Sequence, residues 1–450
     1  MFIKNIKPFG LALLTTFFVG FNSCQSYFGD VNIDPNVPLD ASPAALLGAS
    51  EMRLVYTAGG ELSRFSSILT QQVDGAARQF DIYRTYGILP GDINPLWNSL
   101  YAGILADLQV LQTKADANNY NVYGGICRAL QAHTLMLIAD YFGDAPYSDA
   151  FKVDNAIQPK YDTQAQLYTT IFNLLNDART KLAASPGLLV PGGKDFIYGG
   201  SAAKWTLYCN VLSARAYLHL GKLDPANYSK ALAELAKGSF SSSADDARIT
   251  FAGGGAGVGD APWAQFNSQR AGDIAPSKSH KTLLTTLNDP RVATYNVAMN
   301  GLHPIFTPTQ AVGILTFTEQ KFLEAECYLK LATPDTAKAR ISMLAGIQSS
   351  FTEAKVATPA TAYDTYVKQT AVNPQGAPVT LQGVMTQKYL ALYTDPEVFT
   401  DWRRTGFPVL TPTAGNAIPR RLVYPQSELD LNGNTPKNGT LFSRVGWDIQ

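Results

Sequence analysis

A chain of 450 residues with 46% hydrophobic side chains is long enough to bury a sizeable core. Lys plus Arg and Asp plus Glu balance at 36 each and only 16% of residues are charged; a neutral chain without a basic tract is a poor nucleic-acid binder, and no nucleic-acid partner is expected. Aromatic residues reach 11%, so some rings are expected at the surface or in a site rather than in the core.

The first 23 residues read as a leader. Lys4 and Lys7 give a short basic start, an apolar run extends from Phe9 to Phe21, and small residues lead to Cys24. This layout predicts a lipoprotein signal over 1–23, with Cys24 lipidated and a mature domain over 24–450. Phe21-Asn22-Ser23 lacks the usual aliphatic residue three before the cysteine. A lipid anchor holds a chain on a membrane without making it span, and no other apolar run is long enough to cross a bilayer.

Amphipathic helices dominate the mature chain. Helical spacing predicts helices over 44–57, 61–74, 97–113, 122–142, 164–184, 202–221, 226–237, 277–287, 318–331, 335–350, 383–394 and 396–404. Thr163 and Gln166 form a capping-box pattern, Ser201 is placed to cap the next helix with Gly221 as its stop, and Asp224-Pro225 reads as a cap followed by proline. Three pairs are joined by short links: 97–113 with 122–142, 164–184 with 202–221, and 318–331 with 335–350. Such pairs suit stacked antiparallel hairpins of the tetratricopeptide kind, although no strict repeat consensus is present. Gly-, Pro-, Ser- and Thr-rich segments at 75–96, 186–200, 239–276, 289–317 and 352–382 read as loop insertions. The expected fold is mostly α, a single large domain of stacked helical hairpins with long loop-rich insertions.

Catalytic signatures are missing. There is no nucleophile elbow, no His-Glu-x-x-His and no phosphate loop. His133 and His219 sit in helical patterns as core or groove residues, Cys127, Cys209 and Cys327 read as buried free thiols, and the 253–259 glycine run reads as a flexible loop. Asp245-Asp246 is expected in a solvated turn. No cofactor and no metal is called for. Two segments mix rings with polar groups without clean periodicity: 71–98, with Asp74, Arg78, Phe80, Tyr83 and Tyr86, and 261–273, with Trp263, Phe266, Asn267 and Arg270. Flat rings stack on sugar faces or on peptide side chains, and flanking polar groups fix hydroxyls or amides. Trp263, after the glycine run, is expected at the binding face, and Trp97 in the core.

The C-terminal stretch QKYLALYTDPEVFTDWRRTGFPVL, followed by IPRRLVYPQSELDLN, carries two arginine pairs, Arg403-Arg404 and Arg420-Arg421, whose expected role is to hold carboxylates or carbonyls. This block resembles the C-terminal signature of the SusD/RagB family, nutrient-binding outer-membrane lipoproteins of Bacteroidetes, in its SusD-like subgroup. NIDPN at 32–36, WNSLYAGILADL from Trp97, ADYFGDAPYSDAF at 139–151, PKYDTQAQLY at 159–168, DFIYGGSAAKW at 195–205 and LNDPRVATY at 287–295 extend the resemblance along nearly the whole mature chain, in family order. The resemblance implies a tetratricopeptide-like scaffold, no enzymatic activity, and an aromatic ligand arc built from the two segments above rather than from 289–317. It implies a lipid-anchored, surface-facing protein that delivers an oligosaccharide, or else a peptide, to a SusC-type TonB-dependent transporter. The alternatives are an exported hydrolase on a helical scaffold, which needs convergent carboxylates or a nucleophile–base pair, and a structural lipoprotein that binds only protein.

Overall fold

The computed structural model describes residues 40–152, 158–254, 259–299, 303 and 306–450; the leader and Cys24 lie outside them. Pro43–Gln450 forms one compact unit. Its elements in order are α1 (Pro43–Tyr56), α2 (Ser63–Leu69), β1 (Val73–Gly75), α3 (Arg78–Arg84), α4 (Pro90–Leu100), α5 (Ala106–Asn118), α6 (Asn121–Phe142), α7 (Gln164–Ala183), α8 (Ala202–His219) and α9 (Ala226–Ala236). Next come β2 (Ala247–Thr250), α10 (Pro262–Gln269), β3 (Ile274–Pro276), α11 (Lys278–Thr286), α12 (Val292–Tyr295), β4 (Ala311–Leu315), α13 (Phe317–Lys330), α14 (Thr336–Glu353), α15 (Pro359–Tyr366), α16 (Leu381–Ala391), α17 (Glu397–Thr405) and α18 (Gln426–Leu431). Wider π-type turns at Thr57–Leu62 and Tyr101–Leu105 continue α1 into α2 and α4 into α5.

The three expected hairpins are present: α5 packs on α6, α7 on α8, and α13 on α14, with α6 on α7 and α9 on α8 joining them into an array. The caps are those the sequence signals. Thr163 accepts from the Gln166 amide while the Gln166 side chain accepts from Thr163 N at 2.8 Å, Ser201 accepts from Lys204 N, and Asp224 accepts from Ala226 N at 3.0 Å. Strands pair only two by two, β1 with β3 and β2 with β4, both antiparallel.

Helix α6 is the hub. Every residue from Val122 to Phe142 is buried, as expected for a helix that is apolar on all sides. Its polar residues are therefore paired: Arg128 with Asp116 at 2.6 Å, Gln131 with Gln109 at 3.2 Å, and Asp140 with the Tyr168 hydroxyl at 2.5 Å and the Trp447 indole at 2.8 Å. The C-terminal block closes the array with buried charge. Arg404 forks onto Glu326 at 2.8 and 2.9 Å and reaches Asp401 at 2.5 Å, and Lys388 meets Asp401 at 2.6 Å. Arg403 donates to the carbonyls of Asp140 and Arg420 at 2.6 and 2.9 Å. Arg420 holds Asp448 at 2.5 and 2.6 Å, and Arg421 donates to Leu422 O while its guanidinium lies 4.7 Å from the Tyr424 ring. All four arginines are structural, in the role expected of them. Cys127, Cys209 and Cys327 are buried and free, and Asp289–Arg291 is a local ion pair at 2.6 Å.

Several expectations need correction. The helix expected over 61–74 ends at Leu69, and its tail is strand β1. The segment taken as loop 75–96 holds α3 and most of α4, because Pro90 occupies the first turn and Asp92 accepts from Leu89 N at 2.8 Å, starting the helix seven residues before Trp97. Segment 239–276 contains β2 and α10, and 352–382 contains α15. Asp246 is buried and bonded to Arg248 rather than solvated.

Candidate ligand-binding site

The two ring-bearing segments lie side by side. Val73, Asp74 and Gly75 in β1 face Pro276, Ala275 and Ile274 in β3, and Asp273 O accepts from Ala76 N at 2.8 Å. Gly75 is required here, because a Cβ would run into the Phe80 carbonyl. Arg78 pairs with Asp273, which Arg270 also holds at 2.7 Å, and Arg78 donates to Ala271 O at 3.3 Å.

Their rings join into one ribbon. Phe65 meets Tyr83 at 5.3 Å between centroids, Tyr83 meets Phe80 at 5.5 Å, and Phe80 meets Phe266 edge-on at 5.1 Å. Phe266 meets Trp263 at 6.2 Å, and Trp263 stacks on Phe306 at 4.9 Å and 15°. Phe306 continues to Tyr393 at 6.0 Å, and Tyr393 stacks on Tyr295 at 4.2 Å. The Arg64 guanidinium caps Phe266 at 4.6 Å. Two hollows open along this ribbon. One, of about 270 Å³, is lined by Arg64, Phe65, Gln79, Phe80, Tyr83 and Asp92. The other, of about 470 Å³, is lined by Trp263, Phe306 and Tyr393 together with Thr307, Thr309, Gln310, Arg248 and Glu353. Ring edges beside hydroxyl, amide and guanidinium groups are the chemistry that grips sugars or peptide side chains.

Burial sets the electrostatics. It pushes the Tyr83 hydroxyl up, with Asp92 adding to the effect, so the phenol stays a neutral donor. It lowers Arg64 to about 10, against the opposing pull of Glu61, and it raises the Asp74 carboxyl.

The nine candidate residues divide. Phe80, Tyr83, Trp263 and Phe266 form the ribbon, while Asp74, Arg78 and Arg270 frame the β1–β3 junction. Tyr86 turns away: its hydroxyl accepts from Thr413 N at 2.8 Å and its ring meets Phe442 at 6.2 Å. Asn267 is buried on α10, and its Nδ2 finds no acceptor among the described residues. Trp263 is not an exposed platform on a mobile loop. It is 4% exposed and its indole N–H donates to Ser63 Oγ at 2.9 Å. The reason is Pro262, which starts α10 directly after the glycine run and puts Trp263 and Phe266 on one helical face. Phe306 and Tyr295 complete the ribbon from 289–317, the segment that the sequence reading sets aside, and Tyr393 joins them from the C-terminal stretch. A further cavity of about 940 Å³ borders α1 and β2, and none of the nine candidates lines it. Among the described residues, no group of three His, Cys, Asp or Glu could hold a metal ion, and no helix is long and apolar enough to cross a membrane.

A SusD-like family model, described as starch-binding and associating with the outer membrane, matches residues 35–304 and 300–425. Similar solved structures include a SusD/RagB family protein from Bacteroides thetaiotaomicron, 24% identical, with a TM-score of 0.74 and coverage of 91% of this chain and 99% of that one. A chitin-binding SusD homologue from Flavobacterium johnsoniae is 21% identical, with a TM-score of 0.70 and coverage of 90% and 98%. A SusD homologue from Bacteroides fragilis is 20% identical, with a TM-score of 0.74 and coverage of 91% and 99%. At these identities the likeness is one of fold. No curated protein matches the chain.

Proposed function

The chain belongs to the SusD-like family, and from that membership we propose that it binds an oligosaccharide along the aromatic ribbon, without turnover, and passes it to a SusC-type TonB-dependent transporter. The observation that carries the reading is the convergence of segments 71–98 and 261–273 on one run of rings beside two hollows. Ring edges with neutral donors suit sugar rings, since the apolar C–H face of a sugar packs on a ring edge while the hydroxyls reach Gln79, Thr307 or Gln310. A peptide is the second possible ligand, and the family description favours the glycan. The leader ending at Ser23-Cys24 supports lipid anchoring at Cys24 in the outer membrane, with the binding face outward.

Calorimetric titration of the purified protein with maltoheptaose, chitohexaose and a casein peptide digest tests the ligand class. Binding of either oligosaccharide without its hydrolysis is the expected result; binding of peptides alone overturns it. Metabolic lipid labelling that is lost in Cys24→Ser is expected for the anchor, and equal labelling of the variant refutes it. Co-purification of a TonB-dependent transporter with the membrane-extracted protein is the expected sign of the partner.

A further inference from the structure

The 940 Å³ cavity stands at the upper end of the range of roughly 300–1,000 Å³ that small-ligand sites span. Four rings line it: Tyr56 from α1, Phe196 and Tyr198 from the turn before α8, and Phe251 just after β2. Tyr56 and Phe251 meet edge-on at 6.3 Å. Phe196 is 49% exposed, yet its position is fixed. The Glu51 carboxylate accepts from Phe196 N at 2.8 Å. Asp195 accepts from Ile197 N and Tyr198 N at 2.9 Å each, from Gly200 N at 2.7 Å and from the Trp205 indole at 2.7 Å. Two buried acids thus lock a turn whose product is a half-exposed phenylalanine. A half-exposed ring on a turn whose backbone is held in place loses less freedom when a ligand packs on it.

The charges around the cavity define that ligand's class. Two cations and two anions line it, Lys204 and Arg248 against Asp246 and Asp260. Each already has a partner in the protein. Lys204 donates to Ala244 O at 2.8 Å and sits 3.8 Å from Asp245. Arg248 is bonded to Asp246 and lies 3.8 Å from Glu353, and Asp260 accepts from Gly254 N at 3.0 Å. With two cations against two anions, the described lining carries no net formal charge to select an ion. The Arg248 Nε–H is buried without an acceptor among the described residues.

Resting on the carbohydrate reading above, we propose that this cavity is a second glycan site, specific for an uncharged oligosaccharide segment and distinct from the ribbon. It shares only Ser243 and Arg248 with the 470 Å³ hollow, so the two sites adjoin across one wall. One polymer chain can engage both, and the second contact then forms at high effective concentration.

The test uses the full mature protein with maltoheptaose, chitohexaose and the matching soluble polymers. Two variants remove the second site: Phe196→Ala, which truncates a half-exposed ring, and Thr250→Arg, which fills the cavity from an exposed strand end. The expected result is two bound oligosaccharides per wild-type chain and one in each variant, with the remaining affinity unchanged. Polymer affinity falls by roughly a hundredfold in both, as expected when avidity is lost. A single site in the wild type, with polymer affinity unaltered in the variants, overturns the second site and leaves the ribbon reading intact. Binding of none of the probes by the wild type overturns the carbohydrate reading and this site with it.

Discussion

The C-terminal arginine block and the aromatic ribbon are the two most conspicuous patterns in the chain, and they do opposite things. The block is rich in charge and is buried: Arg403 and Arg404 are 2% and 4% exposed, and each guanidinium is spent on protein acceptors. The ribbon is rich in rings, and its edges line hollows. In a chain with so few charges, ionic groups knit helices together, and the proposed recognition falls to neutral ring edges. The comparison can be broken by showing that a block arginine matters for ligand, or that a ribbon ring matters only for stability.

The largest effect is expected at Arg404. Arg404→Ala strands Glu326 and leaves Asp401 with Lys388 alone, deep in the array. Breaking one partner of a buried pair costs about 3–5 kcal/mol, and this site belongs at the top of that range because two carboxylates lose a partner, Glu326 both prongs of a fork and Asp401 a single bond. Chemical denaturation measures the loss. Among molecules that remain folded, oligosaccharide affinity is expected to be unchanged; a selective loss of affinity would move the block into the binding machinery.

Trp263→Ala comes next, and it should do both things. Removing a buried indole costs about 3 kcal/mol or more, read as a fall in the denaturation midpoint. Loss of its stack on Phe306 beside the larger ribbon hollow should also weaken oligosaccharide binding by about tenfold, or 1.4 kcal/mol. A stability loss with full affinity in the folded fraction would make the ribbon a core seam rather than a site.

The block's charge also gives a pH signature above neutrality. Burial alone would discharge His219, but Glu397 and then Asp140 outweigh it and raise the imidazole to about 9. Glu397 Oε1 lies 2.8 Å from Nε2, and Asp140 Oδ2 lies 3.1 Å from Nδ1. A histidine whose pKa is raised on folding stabilises fully below its unfolded value of about 6.5. That contribution disappears as pH climbs through about 9. The shift corresponds to roughly 3 kcal/mol at most. The melting temperature should therefore fall between pH 6.5 and 9 by more in the wild type than in His219→Gln. Parallel curves for the two proteins would show that the imidazole is neutral in the folded state.

How much of the molecule is legible in the sequence depends on the range of each interaction. Hairpins, caps and arginine roles are set by spacing of a few residues or by composition, so α5–α6, α7–α8 and α13–α14 can be read directly. The two ring-bearing segments, marked by rings among polar groups and favoured by the resemblance, do lie side by side in the fold. What local pattern cannot give is the register of β1 on β3, roughly two hundred residues apart, or the stacking of Trp263 on Phe306 and of Tyr393 on Tyr295. Ring stacking has no period. Trp263 is misplaced by sequence reasoning because eight helical residues after a glycine run are too few to show amphipathic spacing, although Pro262 is a usable signal. The locked turn of Phe196 is hidden for a similar reason, since the acids that hold it are Asp195, next to it, and Glu51, far upstream.

Arg78 should give the smallest effect and the sharpest contrast with Arg404. Both are arginines paired with a buried carboxylate, but the Arg78 side chain is 55% exposed and Asp273 keeps Arg270 at 2.7 Å when Arg78 is removed. An exposed ion pair contributes about 1 kcal/mol or less, so Arg78→Ala should shift the melting temperature by only a degree or two. Arg78 directly precedes Gln79, which lines the smaller hollow, and a charge-assisted hydrogen bond to a sugar hydroxyl is worth about 1.5 kcal/mol or more. Affinity should therefore fall by roughly tenfold while stability holds, the reverse of the Arg404 result. A variant with unchanged affinity would confine Arg78 to tethering the β1–β3 junction and leave the rings of the ribbon, with Gln79, as the whole of the recognition surface there.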